Sequence, residues 1–186
     1  MLTWNEENRL AAGAGGDPEN GLTELGREAV RRMQRLGIVP DVSHASDGTF
    51  RDLLELAEGP VIASHSNCRA LCDVRRNLTD DQLRAIRDTG GVVGVNVYHN
   101  FVHADPQRQT AAMLARHAAH MAEVMGPEHV ACGFDFCEYF GPGNEGCKGM
   151  EDCSQTHNFF FELERIGFSA AERQAIAGEN LLRVLE

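Results

Sequence analysis

Short apolar runs alternate with amphipathic helical stretches along this 186-residue chain, and this alternation limits the folds available to it. Residues 38–44, 60–65, 91–97 and 129–135 are runs rich in branched apolar side chains, and a stretch with helical spacing separates each run from the next. Strands that are apolar on both faces and separated by helices indicate parallel βα units. We therefore predict an α/β fold that forms a single domain over residues 1–186.

Helix signals support this division of the chain. Helices are predicted over residues 23–36, 47–58 and 107–125, after Thr79, and after Ser169. Thr79 and Gln82 have the spacing of a capping box, in which each side chain bonds the backbone of the other residue. Ser169 and Glu172 repeat the pattern. Residues 2–5 add a short fragment of a further strand, which brings the predicted number of strands to about five.

Charge and hydropathy exclude several kinds of partner. The formal net charge is −11, which argues against a nucleic acid or an anionic membrane surface as the main partner. No apolar run approaches the roughly 20 residues that a membrane-spanning helix needs. The first residues lack a basic region followed by a long apolar one, so they do not resemble a secretory signal. We expect no membrane segment and a cytoplasmic location.

The six cysteines are few for this length and lack paired CxxC motifs. The sequence therefore predicts neither a disulfide scaffold nor a structural zinc module. Cys147 and Cys153 flank a short loop and could pair under oxidation, but free thiols are the expected state without an export signal.

Two of the predicted strands end in the same way, with a histidine that follows a serine. His44 ends the run 41–44 and His65 follows Ser64, and the last predicted strand ends at Asp135. The carboxyl ends of parallel strands converge on one site, where two imidazoles suit a divalent transition metal, most often zinc. A single histidine at a strand end is more often a hydrogen-bonded structural residue, and spacing alone leaves both interpretations open.

Other histidines are weaker candidates. His99 and His103 follow the third predicted strand and are expected to be solvated loop residues. His117 and His120 are three residues apart on a predicted helix, where we expect them to be polar surface residues.

Five motifs in series, followed by a matching ending, resemble the membrane (renal) dipeptidase family in order and spacing. The motifs are LTELG at residues 22–26, DVSHAS at 41–46, PVIASHS at 60–66, RRNLTD at 75–80 and GFDF at 133–136, and the ending is ENLLRV at 179–184. The resemblance covers nearly the whole chain.

The resemblance implies the second part of a (β/α)8 TIM-like barrel that binds two zinc ions and hydrolyses dipeptides at its carboxyl-terminal rim. Carried over position by position, His44 and His65 look like two ligands of one zinc ion. Arg76 looks like the residue that binds the substrate carboxylate, and Asp135 looks like the acid that orients or shuttles protons at the scissile amide.

Departures from the family pattern concern the other half of the metal site. The His-x-Asp pair of the first strand and the bridging glutamate have no counterpart, and the opening residues resemble the fourth strand. Cys137 replaces a second acid that often follows the barrel aspartate. We therefore expect a barrel lacking its first strands, completed by a missing N-terminal half or by another polypeptide, with a homo-oligomer as a possible assembly.

Three alternatives stay open from sequence. A degenerate barrel could bind a small molecule or partner without catalysis, and a related amidohydrolase could act on another small amide. Arg76 could be a structural partner of the nearby acids Asp73 or Asp80 rather than a residue that binds substrate.

Overall fold

The computed structural model describes residues 1–186 and contains parallel strands connected through helices. Strand β1 (Val93–Val95) pairs in parallel with strand β2 (Val130–Cys132). Single parallel bridges continue this arrangement from Val93 to Ala63, and from Ile62 to Asp41. The segments therefore lie side by side in chain order, as parallel βα units predict.

The strands are shorter than predicted. Residues 38–44 and 60–65 form only isolated bridges, with hydrogen bonds such as Val42 N to Ile62 O at 2.8 Å. Pro40 and Pro60 lie in these segments and have no N–H to donate, which limits the ladder. Residues 2–5 form no strand, so the number of about five strands stays a prediction.

The chain has eight α-helices. They are α1 (Glu24–Arg35), α2 (Asp47–Leu56), α3 (Asp80–Asp88), α4 (His99–Val102), α5 (Ala111–Met125), α6 (Thr156–Arg165), α7 (Ala170–Gln174) and α8 (Asn180–Leu185). A π-helical segment, Ala175–Glu179, joins α7 to α8. None of these helices combines the length and apolar character required to cross a lipid bilayer.

The capping residues explain where the helices begin. Both predicted capping boxes are present, at the start of α3 and of α7. Helix α5 begins at Ala111 and not at residue 107, because the Thr110 side chain accepts a hydrogen bond from Met113 N. The residues just before it form a short 3₁₀ turn, Pro106–Arg108.

The main core lies between the strands and the helices packed over them. Val93, Val95, Leu114, Met121 and Phe159 are all fully buried in one apolar cluster. Each buried side chain of this size contributes roughly 1.5–3 kcal/mol to folding. This packing holds the carboxyl ends of β1 and β2 in fixed positions.

His117 corrects the expectation of a surface residue, since it is fully buried. Its Nδ1 accepts a hydrogen bond from Cys68 N at 3.0 Å, and its Nε2–H donates to Val102 O at 2.8 Å. Burial lowers the pKa of His117 to about 4, so the ring is neutral near pH 7. Both ring nitrogens are used within the core, which makes His117 a structural residue.

All six cysteines are free thiols.

Two glycines allow the central segments to approach closely. A Cβ added at Gly133 would overlap the carbonyl oxygen of Ser64, and one at Gly94 would overlap the same atom. We expect Gly133→Ala to lower the free energy of unfolding by about 3 kcal/mol, because the backbone must move apart. Urea denaturation followed by circular dichroism measures this loss.

Gly178→Ala is the matched control, because a Cβ at Gly178 meets no atom within 4 Å. In that helical segment alanine should be neutral or stabilising by up to about 1 kcal/mol. Equal stability of the Gly133→Ala and Gly178→Ala variants would contradict the close approach.

Candidate functional site

The four side chains singled out from sequence lie together at the carboxyl ends of the parallel segments. The rings of His44 and His65 meet edge to face with their centroids 4.9 Å apart. Nε2 of His65 lies 3.9 Å from Oδ2 of Asp135. Arg76 Nη2 donates a hydrogen bond to the backbone oxygen of His65 at 3.3 Å.

Backbone conformation distinguishes two of these positions. His44, with φ of 69°, and Asp135, with φ of 60°, are the only non-glycine residues in the left-handed region. This conformation costs an L-residue roughly 1–2 kcal/mol. Such strain is typical of functional sites, where the surrounding structure compensates for it. Strain at two of the four positions is therefore an observation, independent of side-chain chemistry, that favours a functional role.

His44 is a neutral ring held in one orientation. Its side chain is buried, and Nδ1 lies 2.9 Å from Oδ1 of Asn5. Burial, with smaller contributions from the positive charge of Arg76 and from the neighbouring His65, lowers the pKa of His44 to about 3. A neutral imidazole is the form that binds a metal ion.

Hydrogen bonds hold both the backbone and the side chain of His65. Its backbone N–H donates to Ser43 Oγ at 2.9 Å, and its Nδ1 lies 2.7 Å from Ser64 Oγ. Burial lowers the pKa of His65, although the carboxylate of Asp135 acts in the opposite direction. Both histidines thus use Nδ1 within the chain, and their Nε2 atoms make no hydrogen bond to it.

The side chains present are of the types that bind a transition metal, but they are too few to complete a metal site. Two imidazoles and a nearby carboxylate are donors that zinc accepts. No group of three or more His, Cys, Asp or Glu residues has the geometry to hold an ion. A catalytic zinc usually has three protein ligands, so these side chains alone do not complete such a site.

Arg76 is a buried cation with unused hydrogen-bonding capacity. It is 8% exposed, its guanidinium lies 5.2 Å from the ring centroid of Phe101, and its Nε has no hydrogen-bond partner. Burial lowers the pKa of Arg76 to about 10, even though Asp135 and Asp41 act to raise it. No carboxylate forms an ion pair with it, and Asp80 instead lies 2.7 Å from His120. The alternative pairing with Asp73 or Asp80 is absent.

Two asparagines that were not predicted as site residues support the carboxylate of Asp135. Nδ2 of the fully buried Asn96 donates to Asp135 Oδ2 at 3.1 Å. Asn96 is itself fixed by Asn67, which accepts from Asn96 N at 3.0 Å and donates to Asn96 O at 2.8 Å. Asparagine in an apolar strand was the available signal, because a buried amide needs hydrogen-bond partners.

His99 and His103 are engaged away from this site, and His99 is the first residue of α4 and not a loop residue as expected. Nδ1 of His99 lies 3.0 Å from the backbone oxygen of Glu145, and Nδ1 of His103 accepts from Asp105 N at 2.9 Å. Both rings thus have partners outside the candidate site.

Parallel βα units with imidazoles, an acid and a desolvated cation at the strand ends define an α/β domain with its site at the carboxyl ends of the strands. The chain belongs to the membrane dipeptidase family, peptidase family M19, whose family model matches residues 1–186.

Relatives and solved structures agree with this family. A protein of Klebsiella pneumoniae from the pqqA 5′ region is 37% identical over 192 residues, covering 98% of this chain and 69% of that protein. An uncharacterised dipeptidase of Schizosaccharomyces pombe is 37% identical over 189 residues, covering 98% of this chain and 44% of its own length.

A metallopeptidase from Rhodobacter sphaeroides, solved with a phosphinate mimic of the dipeptide L-Ala-D-Ala, superposes with a TM-score of 0.87 at 30% identity. The match covers 98% of this chain and 53% of that one. The chain thus spans between 44% and 69% of the length of these three proteins.

The left-handed backbone at His44 leads to a stability prediction. Glycine adopts this conformation without a steric penalty, whereas alanine does not. We expect His44→Gly to be more stable than His44→Ala by about 1 kcal/mol, since both variants lose the same ring. Urea denaturation of the two variants measures the difference.

The same pair of substitutions at Arg116, an exposed position inside α5, is the control. There alanine should be the more stable by about 1 kcal/mol. The same order of stability at both positions would argue against backbone strain at His44.

Proposed function

We propose that this chain takes part in the zinc-dependent hydrolysis of dipeptides. It would contribute two zinc ligands, His44 and His65, a substrate-binding residue, Arg76, and a proton-transferring acid, Asp135. One observation carries the proposal. Two neutral imidazoles lie with their ring centroids 4.9 Å apart, and a carboxylate oxygen of Asp135 lies 3.9 Å from Nε2 of His65. The family and the dipeptide mimic bound to the Rhodobacter sphaeroides metallopeptidase support the same reaction.

His44 and His65 would each hold zinc through Nε2, the nitrogen that makes no bond within the chain. A metal ion bound there would supply Lewis acidity, which polarises a carbonyl and lowers the pKa of bound water. The family site has two zinc ions, and two histidines are too few ligands for it. We propose that a His-x-Asp pair and a bridging glutamate from outside this chain complete the site.

Asp135 would move the proton. Its Oδ2 is oriented by the amide of Asn96 at 3.1 Å and lies on the side that faces His65. A carboxylate in that position can take a proton from the attacking water and deliver it to the leaving amine. Its remaining exposure, 39% of the side chain, leaves it accessible to substrate.

Arg76 would bind the carboxylate of the dipeptide. A guanidinium can hold a carboxylate through two parallel charge-assisted hydrogen bonds. The buried, unpartnered Nε of Arg76 and its lack of an ion pair support this role. A substrate carboxylate would supply the missing hydrogen bond and the missing negative charge.

A second candidate is a degenerate barrel that binds a small molecule or a partner without catalysis. The lack of three clustered metal-binding side chains favours it for this chain in isolation. Zinc content and dipeptide turnover of the complete protein separate the two candidates, because an inactive protein with stoichiometric zinc would contradict the dipeptidase proposal.

Removal of either histidine should abolish activity in the complete protein. We expect His44→Ala and His65→Ala each to lose zinc and dipeptide turnover while the circular dichroism spectrum is retained, since the rim serves function more than core stability. Zinc is measured by atomic emission after gel filtration. His157→Ala, at an exposed position of α6, should leave both unchanged. Near-normal zinc and turnover in either rim variant would contradict the ligand assignment.

Arg76 separates a dipeptidase from an amidohydrolase that acts on another small amide. We expect Arg76→Lys to lower kcat/KM for a dipeptide with a free carboxyl terminus by a factor on the order of a hundred, because a lysine cannot copy the paired geometry. That factor corresponds to a loss of about 3 kcal/mol. The loss should be small for the amidated dipeptide, which has no carboxylate to bind.

Arg75→Lys is the control, because Arg75 is exposed and donates to Gly16 O at 2.8 Å. It should change neither rate appreciably. Equal losses of Arg76→Lys on free and amidated substrates would mean that Arg76 supports the loop and does not bind the carboxylate.

A further inference from the structure

We infer that Asp41 and Ser64 form a hydrogen-bond relay that keeps a proton on Nδ1 of His65 and thereby leaves Nε2 unprotonated for a metal ion. The relay assigns positioning roles to two residues that do not themselves bind the ion. Its consequence for metal binding rests on the proposed role of His65 as a ligand. The direction of the relay can be tested without any metal.

The carboxylate of Asp41 is the fixed end of the relay. Its Oδ1 accepts hydrogen bonds from the backbone N–H groups of Ser43 at 3.0 Å and Ser64 at 3.1 Å. Its Oδ2 accepts from the hydroxyl of Ser64 at 2.6 Å. Because Ser64 Oγ is the donor in this bond, the single hydroxyl proton of Ser64 points towards Asp41.

The direction of that proton decides the state of His65. Ser64 Oγ has only lone pairs left to offer Nδ1 of His65, which lies 2.7 Å away. Nδ1 must therefore carry a proton and donate it. In a neutral imidazole the other nitrogen, Nε2, then has a free lone pair. This is the nitrogen that lies on the side of Asp135.

Metal-bound histidines usually donate their second ring N–H to a carboxylate, a carbonyl or water, which fixes the tautomer and the ring orientation. Here a serine hydroxyl stands between the ring and the carboxylate. The bond from His65 N to Ser43 Oγ fixes the backbone of the same residue. His65 is thus oriented before any ion binds.

Replacement of one atom should reverse the relay. In Asp41→Asn, the oxygen that accepts two backbone N–H groups must remain an oxygen, so the amide nitrogen takes the place of Oδ2. That nitrogen donates to Ser64 Oγ, and Ser64 must then donate its own proton to Nδ1 of His65. The ring proton moves to Nε2, which blocks the lone pair needed for a metal.

The experiment reads the tautomer directly from two-bond proton–nitrogen NMR spectra of the imidazoles in the metal-free protein. We expect the Nδ1–H pattern for His65 in the natural protein and the Nε2–H pattern in Asp41→Asn. Zinc affinity, measured by chelator competition at constant pH, should fall by about 10- to 100-fold in Asp41→Asn. Ser64→Ala should show mixed tautomers and a similar loss, whereas Ser64→Thr, which keeps the hydroxyl, should restore both.

Ser66→Ala is the matched control, because this buried serine contacts the Oγ of Ser43 at 3.4 Å and touches neither ring nitrogen of His65. It should leave the tautomer and the zinc affinity unchanged. The relay is overturned if His65 of the natural protein carries its proton on Nε2, or if Asp41→Asn keeps the Nδ1–H pattern.

Failure of the proposed function gives a different result. Unchanged zinc affinity in His65→Ala would remove His65 as a ligand, whereas the spectra of the metal-free protein would still decide the relay. If Ser64→Ala fails to fold, the isosteric Asp41→Asn variant still tests the relay.

Discussion

The positions of the site residues depend on the close approach of three backbone segments. The carbonyl of Ser64 lies against Gly94 and Gly133, where no side chain could be accommodated. Hydrogen bonds from Gly94 N to Ala63 O and from Ser66 N to Gly94 O, both 2.8 Å, hold the segment in that position. Because these contacts fix the backbone of residues 63–66, His65 is held at the carboxyl-terminal end of its segment.

The site contains several unusual local features that the surrounding core lacks. It has a left-handed backbone at His44 and Asp135, a desolvated guanidinium with an unpaired Nε at Arg76, and two neutral imidazoles in contact. The left-handed backbone and the unpaired Nε each oppose folding by an amount on the order of 1 kcal/mol or more. The apolar packing of α5 against the strands, and of α6 against α5, compensates for them. Features that cost stability and occur together are typical of a functional site.

Sequence patterns predicted the parts of the fold that depend on local chemistry. The two capping boxes and the positions of β1 and β2 follow from hydroxyl, carboxylate and branched apolar residues in the chain itself. The burial of His117 could have been predicted, because it lies on the same helical face as the buried Leu114 and Met121. The shortening of the strands at Pro40 and Pro60 could also have been predicted, because a proline in an apolar run cannot donate to the ladder.

In the candidate site, too, some residues follow from local sequence patterns and others do not. His44 and His65 were found because equivalent strands end alike, whereas Asp41, Ser64 and Asn96 were missed because their roles depend on hydrogen bonds between distant segments. Asp41 and Ser64 are 23 residues apart, and Asn96 and Asp135 are 39 residues apart. All of these bonds are made within this chain, as is the bond between His44 and Asn5. The two imidazoles are therefore oriented before any further ligand arrives, so additional donors would meet a preorganised pair and would not have to pay the entropy of ordering it.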